Sequence, residues 1–266
     1  MICKEDKGYP ALEILRAILS KLTKADSEVA RGISIIEENN FKISDLELIT
    51  GNQARNQAKR IGITGAPGIG KSTFLNRLLL SQDFTGYKVA VIAIDPSSNI
   101  TKGAVLGDRI RITESSIFET IYFRSMATRG AYGGLNASIE AVLYFLENCG
   151  FTLIFVETVG VGQNEVKVAE SVDVVIHIID SNTGDDVQME KAGLMEVSDI
   201  FFVNTRDGNL NSKFITILKS FASNSRMAPK AGPEVIVGSA ISGEGFEELW
   251  NLLHRNQENS LQIENR

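Results

Sequence analysis

The amino-acid sequence predicts an α/β fold, in which helices cover both faces of a doubly wound, mostly parallel sheet. Three observations support this prediction. Short and almost uninterrupted apolar runs recur from residue 61 onward, as expected of strands that are buried on both faces. Segments with a helical spacing of apolar residues lie between many of these runs. The chain before about residue 60 has helical spacing throughout.

A helical extension, residues 1–59, is predicted to precede the sheet. Between Pro10 and Arg60 the apolar residues recur at intervals of three and four, which places them on one side of a helix. The residues that form this pattern are Leu12, Leu15, Leu19, Leu22, Val29, Ile33 and Ile36. The simpler interpretation is a helical cap that packs on the main domain. A helix that binds a partner protein is the alternative.

Seven strands are predicted in the main domain, residues 60–255. Turn or polar residues stand at the carboxyl-terminal ends of the runs, where strands are expected to stop. The runs cover residues 61–64, 88–95, 120–125, 151–157, 172–180, 199–204 and 234–240. A closing helix is predicted from Phe246 to Leu253, and residues 256–266 are expected to form a polar, frayed tail.

The composition argues against several classes of protein. The 266 residues include 33 acidic and 27 basic side chains, a net charge of −6, so neither nucleic acid nor an anionic membrane surface is the expected main partner. Cys3 and Cys149 lie far apart and outside any CxxC pattern, which argues against a disulfide framework or a zinc site. No apolar stretch has the length of a membrane span and no signal peptide is evident, so a cytoplasmic location is expected.

A glycine-rich segment follows the first predicted strand and opens a predicted helix. Residues 65–72 read GAPGIGKS, which matches the phosphate-binding pattern GxxxxGK[ST]. Backbone N–H groups of such a loop surround phosphates, and the helix N-terminus favours anions. Lys71 is expected to reach the β and γ phosphates, and the Ser72 hydroxyl to ligate Mg²⁺. The loop residues expected to contact the nucleotide are Gly65, Pro67, Gly68 and Gly70. The fold class is therefore a P-loop NTPase domain with an N-terminal helical extension.

A second strand is expected to supply an acidic residue, because Mg²⁺ prefers further oxygen ligands or ordered water. Glu157 ends the run 151–157 and is followed three residues later by Gly160, whose N–H is expected to contact the γ phosphate. The sequence therefore predicts that Lys71, Glu157 and Gly160 take part in hydrolysis, with Glu157 also near the metal.

Two further acidic residues are candidates for the magnesium shell. Asp95 ends the run 88–95, and Asp108 follows a loop that contains glycine. The alternatives are an Asx-turn for Asp95 and a solvated loop position for Asp108. Residues 99–136 are rich in glycine and arginine, which is typical of loops that close over a nucleotide but also of plain surface loops.

Two segments are candidates for recognition of the purine base. Asn204 to Asp207 read NTRD after a predicted strand, and Ser239 and Ala240 follow the last one. In P-loop GTPases an aspartate in this motif accepts hydrogen bonds from guanine, and the SA segment offers backbone N–H to O6; adenine has the opposite donor pattern. Thr205 replaces the usual lysine. We expect GTP and GDP as ligands, with ATP as the alternative that Thr205 leaves open.

Read together, these segments resemble the methylmalonyl-CoA mutase accessory GTPases of the ArgK/MeaB type. The segments that carry the resemblance are GAPGIGKST, VAVIAIDPSS, LGDRIRI, ETVGVGQNE, TGDDVQMEKAG and SAISGEGFEELW, and they occur in the family's order between about residues 30 and 253. The resemblance implies a GTPase that acts as chaperone to an adenosylcobalamin-dependent mutase, gating delivery of the cofactor and protecting the mutase from inactivation.

The resemblance also implies roles for individual residues. Lys71, Ser72 and Thr73 would contact the phosphates and Mg²⁺. Asp95 and Asp108 would belong to the magnesium shell.

Further implied roles concern catalysis and partners. Glu157 would orient or activate the attacking water. The segment from Asp180 to Lys191, with Asp185 prominent, matches the family's additional switch, which contacts the mutase; by its residues alone it would be interpreted as a solvated polar loop. Family members continue into a C-terminal helical arm used for dimerisation. This chain is expected to lack that arm, so a homodimer does not follow from the resemblance.

Three other functions stay open on the sequence. A kinase linked to lysine, arginine and ornithine transport would prefer ATP, and Asp207 argues against it. A nickel-insertion GTPase would carry clusters of Cys or His, whereas the two histidines here are His177 and His254. His177 lies in an apolar run and is expected to have a hydrogen-bonded structural role. A nucleotide-gated binding module without useful turnover is the third alternative.

Overall fold

The computed structural model describes residues 9–21, 25–51, 58–95, 121–127, 134–158, 168–180, 197–205, 211–224 and 232–263. The helices are α1 (Tyr9–Leu19), α2 (Asp26–Asn39), α3 (Ile43–Thr50), α4 (Lys71–Ser81), α5 (Gly134–Asn148), α6 (Ser212–Asn224) and α7 (Phe246–Ile263). The strands are β1 (Lys59–Gly65), β2 (Val89–Asp95), β3 (Ile121–Ala127), β4 (Leu153–Glu157), β5 (Val174–Asp180), β6 (Ile200–Asn204) and β7 (Glu234–Gly238). All seven predicted strands are present.

The strands form one seven-stranded sheet in the order β3-β2-β4-β1-β5-β6-β7. The pairs β2–β3, β5–β6 and β6–β7 are parallel. The parallel α/β prediction is therefore confirmed. β4 lies directly beside β1, and parallel strands end on the same side of a sheet, so the glycine-rich segment and Glu157 leave the sheet at one edge.

Contacts divide the chain into two compact units. The first consists of Met1–Ile61, Thr85–Val156 and Glu170–Val172, and the second of Gly62–Phe84, Glu157–Ala169 and Asp173–Arg266. The helices α1, α2 and α3 belong to the first unit and the glycine-rich segment to the second. The division into a helical extension and a nucleotide domain at residue 60 stays a prediction.

In the first unit, α2 and α3 pack against α5, and α1 packs against α2 and α3. Leu15, Val29, Ile33 and Ile36 are fully buried, as their spacing predicted, whereas Leu22 lies outside the described residues. The glycine of α2, Gly32, lies so close to the ring of Phe145 on α5 that an added Cβ would stand 2.2 Å from it. The hydroxyls of Thr50 and Tyr144 lie 2.8 Å apart. These contacts support the interpretation of the helices as a packed cap.

A polar contact adds to this packing of α2. Arg124 on β3 donates hydrogen bonds to the Glu37 carboxylate and the Ser34 hydroxyl of α2, both at 3.0 Å. Because the two α2 residues are one turn apart, they face the same way and a single guanidinium can contact both.

In the second unit, three phenylalanines from α4, β6 and α7 form the centre of the core. Phe74, Phe202 and Phe246 are almost completely buried, with ring centroids 4.8, 5.0 and 5.3 Å apart. Gly238 ends β7 against this cluster, and a Cβ there would lie 2.6 Å from the Phe202 ring. Tight aromatic packing of this kind positions α4, and thereby the loop before it, relative to β6 and β7.

The closing helix α7 is longer than the sequence suggested. It continues to Ile263, so residues 256–263 are helical where a frayed tail was expected. The segment contains no glycine or proline, and adding residues to an existing helix costs much less than starting one. None of the helices in the described part of the chain has both the length and the apolar character needed to cross a membrane.

Candidate functional site

The loop between β1 and α4, residues 65–70, has a backbone that requires glycine. Gly65, Gly68 and Gly70 have φ angles of 139°, 73° and 104°, in the region that L-residues with a Cβ seldom adopt. At Gly65 an added Cβ would also stand 2.4 Å from the carbonyl oxygen of Ile178 on β5. The loop ends at the N-terminus of α4, where the backbone N–H groups favour an anion.

Lys71, the first residue of α4, lies inside this loop. It is 7% exposed, and its Nζ donates hydrogen bonds to the carbonyl oxygens of Gly65 at 2.7 Å and Ala66 at 2.9 Å. Both acceptors are neutral dipoles, and a phosphate oxygen would be a stronger, charge-assisted partner for the ammonium. The lysine is therefore positioned where the sequence predicts the phosphates of a nucleotide.

Ser72 and Glu157 come together beside the same loop. The Ser72 hydroxyl donates a hydrogen bond of 2.6 Å to Oε1 of Glu157, which is 6% exposed at the end of β4. Thr158 keeps this strand end against β1, because its N–H donates to the carbonyl of Ile63 at 3.0 Å. A hydroxyl and a carboxylate are hard oxygen donors, so this pair of residues fits a magnesium ion.

Asn204, at the end of β6, connects the glycine-rich loop to the segment after β7. Its Nδ2 donates to the carbonyl of Ile69 at 3.2 Å, and its Oδ1 accepts a hydrogen bond from the N–H of Ala240 at 3.0 Å. The neighbouring N–H of Ser239 donates to the carbonyl of Glu244 at 3.0 Å. The backbone amides of Ser239 and Ala240 thus both donate to acceptors within the protein. For a base to accept from Ala240, the Ala240 amide must give up its hydrogen bond to Asn204 or divide it between two acceptors.

Thr205 has a structural contact that accounts for its position. It is 6% exposed, its hydroxyl donates to the carbonyl of Gly238 at 3.1 Å, and its backbone N–H donates to the same oxygen at 2.8 Å. The short hydroxyl side chain therefore helps to secure the end of β6 to the end of β7.

His177 on β5 differs from its sequence interpretation. It is 1% exposed, and its ring packs edge-on against Phe201 at 5.8 Å between centroids. Neither ring nitrogen of His177 has a hydrogen-bond partner among the described residues. Within the described part of the chain, the prediction of a hydrogen-bonded role for His177 is therefore wrong. Burial, together with the positive charge of Lys71, lowers the pKa of His177 to about 4, which keeps the ring neutral at pH 7.

A comparison with protein families identifies the chain. A family model described as "Methylmalonyl Co-A mutase-associated GTPase MeaB" matches residues 29–263. The chain belongs to this MeaB family. The resemblance predicted from the motifs is confirmed, the chain is accordingly a GTPase, and guanine nucleotides are its ligands.

Named relatives cover much of this MeaB-family chain. A protein of Pyrococcus horikoshii, named as a GTPase, is 39% identical over 241 residues, or 88% of this chain and 74% of that protein. GTPase ArgK of Escherichia coli K12 is 37% identical over 199 residues, or 73% of this chain and 60% of that protein. The mouse protein named methylmalonic aciduria type A homolog, mitochondrial, is 34% identical over 230 residues, or 81% of this chain and 54% of that protein.

A solved structure agrees with the fold. A crystal structure described as a LAO/AO transport system kinase superposes with a TM-score of 0.66 at 25% sequence identity, over 100% of this chain and 80% of that one.

Several predicted site residues lie outside the described part of this MeaB-family chain. These are Gly160, Asp108, Asp207 and residues 181–191, together with the side chain of Asp95, whose backbone ends β2. Their roles stay predictions. Sequence reasoning also missed Arg77 on α4, which contacts the segment after β7. No motif marks this arginine, because the carbonyls that it contacts lie 163 and 164 positions away in the chain.

Proposed function

We propose that this MeaB-family chain is a cytoplasmic, Mg²⁺-dependent GTPase and a chaperone for an adenosylcobalamin-dependent acyl-CoA mutase, gating cofactor delivery and protecting the mutase. The observation that carries the hydrolytic part is the 2.6 Å contact between the Ser72 hydroxyl and the Glu157 carboxylate beside the phosphate loop. The mutase part rests on the family description, which names methylmalonyl-CoA mutase.

The phosphates of GTP would be bound by the loop amides and by Lys71. The Lys71 ammonium donates hydrogen bonds to the carbonyl oxygens of Gly65 and Ala66. A triphosphate gives that ammonium an anionic partner, so Lys71 is expected to exchange carbonyl contacts for contacts with the β and γ phosphates. Thr73, next to Ser72 in the first turn of α4, would add a hydroxyl contact to the phosphates.

Ser72 and Glu157 would hold the magnesium ion, and Asp95 and Asp108 would complete its shell. Bound Mg²⁺ supplies positive charge that neutralises charge developing on the phosphate oxygens. Glu157 would also orient the attacking water, since its carboxylate is a buried acceptor. Gly160 would contact the γ phosphate through its N–H.

Guanine would be recognised at the ends of β6 and β7. Asp207 would accept hydrogen bonds from N1 and N2 of the base, and Asn204, Ser239 and Ala240 would line the pocket. The engagement of Asn204 with both the carbonyl of Ile69 and the amide of Ala240 supports this proposal, because it joins phosphate and base segments.

The mutase would contact the segment from Asp180 to Lys191. Asp180 ends β5, and Ile178 of the same strand presents its carbonyl oxygen 2.4 Å from the position of a Cβ on Gly65. The carboxyl end of β5 therefore lies next to the phosphate loop. Such proximity would allow loss of the γ phosphate to alter the surface presented to the mutase.

The proposal is tested by phosphate release from GTP and from ATP, with and without an adenosylcobalamin-dependent mutase, in the wild type and in Glu157→Gln. We expect slow release from GTP alone and acceleration by the mutase. Glu157→Gln should keep GDP binding and lower kcat by roughly a hundredfold, because an amide is a weaker acceptor for water protons. The exposed Glu170→Gln is the matched control.

Two results would contradict the proposal. Faster turnover of ATP than of GTP would favour the transport-linked kinase, an alternative supported by the name of the solved neighbour. No change in turnover or binding in the presence of the mutase would remove the chaperone role and leave a nucleotide-binding protein with another partner.

A further inference from the structure

Arg77 on α4 contacts the loop that follows β7. Its Nε donates to the carbonyl oxygen of Ala240 at 3.3 Å, and its Nη2 donates to the carbonyl oxygen of Ile241. The side chain is half-buried and runs past Gly243, where an added Cβ would lie 3.6 Å from Cδ of the arginine. The guanidinium presents several donors in one rigid plane, so it can hold two successive carbonyls at once.

The same loop, residues 239–245, is closed by hydrogen bonds of its own. Oγ of Ser239 accepts hydrogen bonds from the N–H groups of Ile241 and Ser242, both at 3.2 Å. The N–H of Gly243 donates to the carbonyl of Ser239 at 2.8 Å. The loop therefore has a defined shape, and Arg77 fixes that shape to the helix that begins at the phosphate-binding lysine.

The peptide groups around Ala240 are held from two directions. The N–H of Ala240 donates to Asn204, which also contacts the glycine-rich loop through Ile69, while its carbonyl accepts from Arg77. These hydrogen bonds link the glycine-rich loop to Asn204, Asn204 to Ala240, and Ala240 to Arg77. Arg77 lies on α4, which itself follows the glycine-rich loop. If guanine O6 takes the Ala240 amide from Asn204, Arg77 still holds the other side of the loop.

We infer that Arg77 is a positioning residue for base recognition. It holds residues 239–242 in place, so the Ala240 amide is already ordered when guanine binds and accepts its hydrogen bond at O6. The inference rests on the proposed guanine site. Holding the loop in its binding conformation lowers the entropic cost of binding. The contribution applies to a ligand whose base accepts from Ala240, so it is expected for GDP and not for tripolyphosphate, which has no base.

The test is calorimetry with GDP, ADP and tripolyphosphate on the wild type, Arg77→Ala, Arg77→Lys and the control Arg16→Ala. Arg16 is an exposed arginine that pairs with Glu13 on α1. We expect Arg77→Ala to weaken GDP binding about tenfold, the size associated with one hydrogen bond from a charged group, while the affinity for tripolyphosphate changes less than about twofold. Arg77→Lys should lose about threefold, because an ammonium contacts the two carbonyls less well. Arg16→Ala should match the wild type.

Four outcomes would overturn the inference. Equal losses of GDP and tripolyphosphate affinity would show that Arg77 supports α4 and the phosphate loop. If the wild type prefers GDP over ADP and Arg77→Ala keeps the same preference, the role inferred for Arg77 is contradicted but the proposed guanine site is not. A wild type without the preference would overturn the proposed guanine site as well. If Arg77→Ala does not fold, Arg77→Lys decides, and GDP affinity equal to the wild type then contradicts the inference.

Discussion

Arg60, near the start of β1, and Lys71, beyond its end, are two basic residues with different kinds of partner. Near the beginning of the strand, the guanidinium of Arg60 contacts the carboxylate of Glu147 on α5, with Nη2 and Nε at 2.7 and 2.8 Å from Oε1. Beyond its end, the ammonium of Lys71 donates to the backbone carbonyls of Gly65 and Ala66 at 2.7 and 2.9 Å. Both cations are shielded from water, with 18% of the Arg60 side chain and 7% of Lys71 exposed.

From this difference in partner we interpret Arg60 as a structural charge and propose Lys71 as a binding charge. The Arg60 charge is compensated by a carboxylate of the protein itself, so its contribution is to folding. Lys71 donates to the carbonyl oxygens of Gly65 and Ala66, which are neutral dipoles that a phosphate can replace at a gain. The charge near the amino end of β1 is thus compensated by the protein, and we propose that an anion binds beyond its carboxyl end, where ligands usually lie in parallel α/β sheets.

The largest expected effect is at the binding charge. Lys71→Ala should lower GTP and GDP affinity by about a thousandfold, since the ammonium is the main cation expected at the phosphates. Calorimetry measures this loss, and Lys219→Ala on the exposed side of α6 is the control. Retained GTP hydrolysis in Lys71→Ala would overturn the assignment of the phosphate loop and with it the comparison.

The structural charge should respond in the opposite way. Glu147→Ala should lower the free energy of unfolding by about 3 kcal/mol, because it leaves the Arg60 guanidinium without its carboxylate in a shielded position. GDP affinity of the folded protein should be unchanged. Urea unfolding and calorimetry give the two quantities.

A double variant sharpens this prediction. Arg60→Met combined with Glu147→Leu removes both charges and should be more stable than Glu147→Ala, since apolar residues of similar volume often replace a buried pair without loss. A tenfold loss of GDP affinity at unchanged stability, in either variant, would contradict the division between structural and binding charges.

A smaller effect concerns pH, through the histidine near Lys71. The pKa of His177 is about 4 in the folded protein and about 6.5 when unfolded, so the unfolded state binds more protons between these values. Stability should therefore rise with pH across this window and fall by about 2 kcal/mol from pH 7 to pH 5.

His177→Leu should abolish this part of the pH dependence, whereas His254→Leu should keep it. Urea unfolding at pH 5 and pH 7 measures both. If His177→Leu and the wild type lose the same stability on acidification, the histidine is not held neutral beside the Lys71 ammonium, and the environment assigned to that cation is wrong.

Local patterns were sufficient for the strands and for the phosphate loop. A strand buried on both faces must be apolar at nearly every position, which makes runs such as residues 151–157 conspicuous in the sequence. The glycines at 65, 68 and 70 are required by backbone geometry, so they too are visible in one short segment. The meeting of Ser72 and Glu157 followed from motif logic, because both stand at carboxyl ends of parallel strands or just beyond them.

Other features depend on residues that are far apart in the chain. Arg77 and the carbonyls it holds are separated by 163 and 164 positions, and Arg60 and Glu147 by 87. An arginine on a helix surface has the same local pattern whether it meets solvent or a distant loop. The buried state of His177 was visible from its apolar neighbours, but the lack of a hydrogen-bond partner among the described residues was not.

Residue order alone thus specified where the chain becomes strand, where a phosphate loop forms and which family it belongs to, since these depend on side-chain periodicity and on backbone angles within a few residues. Only the tertiary structure showed three further hydrogen bonds: from the Ala240 amide to Asn204, from the Thr205 hydroxyl to the carbonyl of Gly238, and from Arg77 to the carbonyl of Ala240. They are hydrogen bonds between segments that packing brings together, and a donor's partner is set by the geometry of its surroundings rather than by its neighbours in sequence.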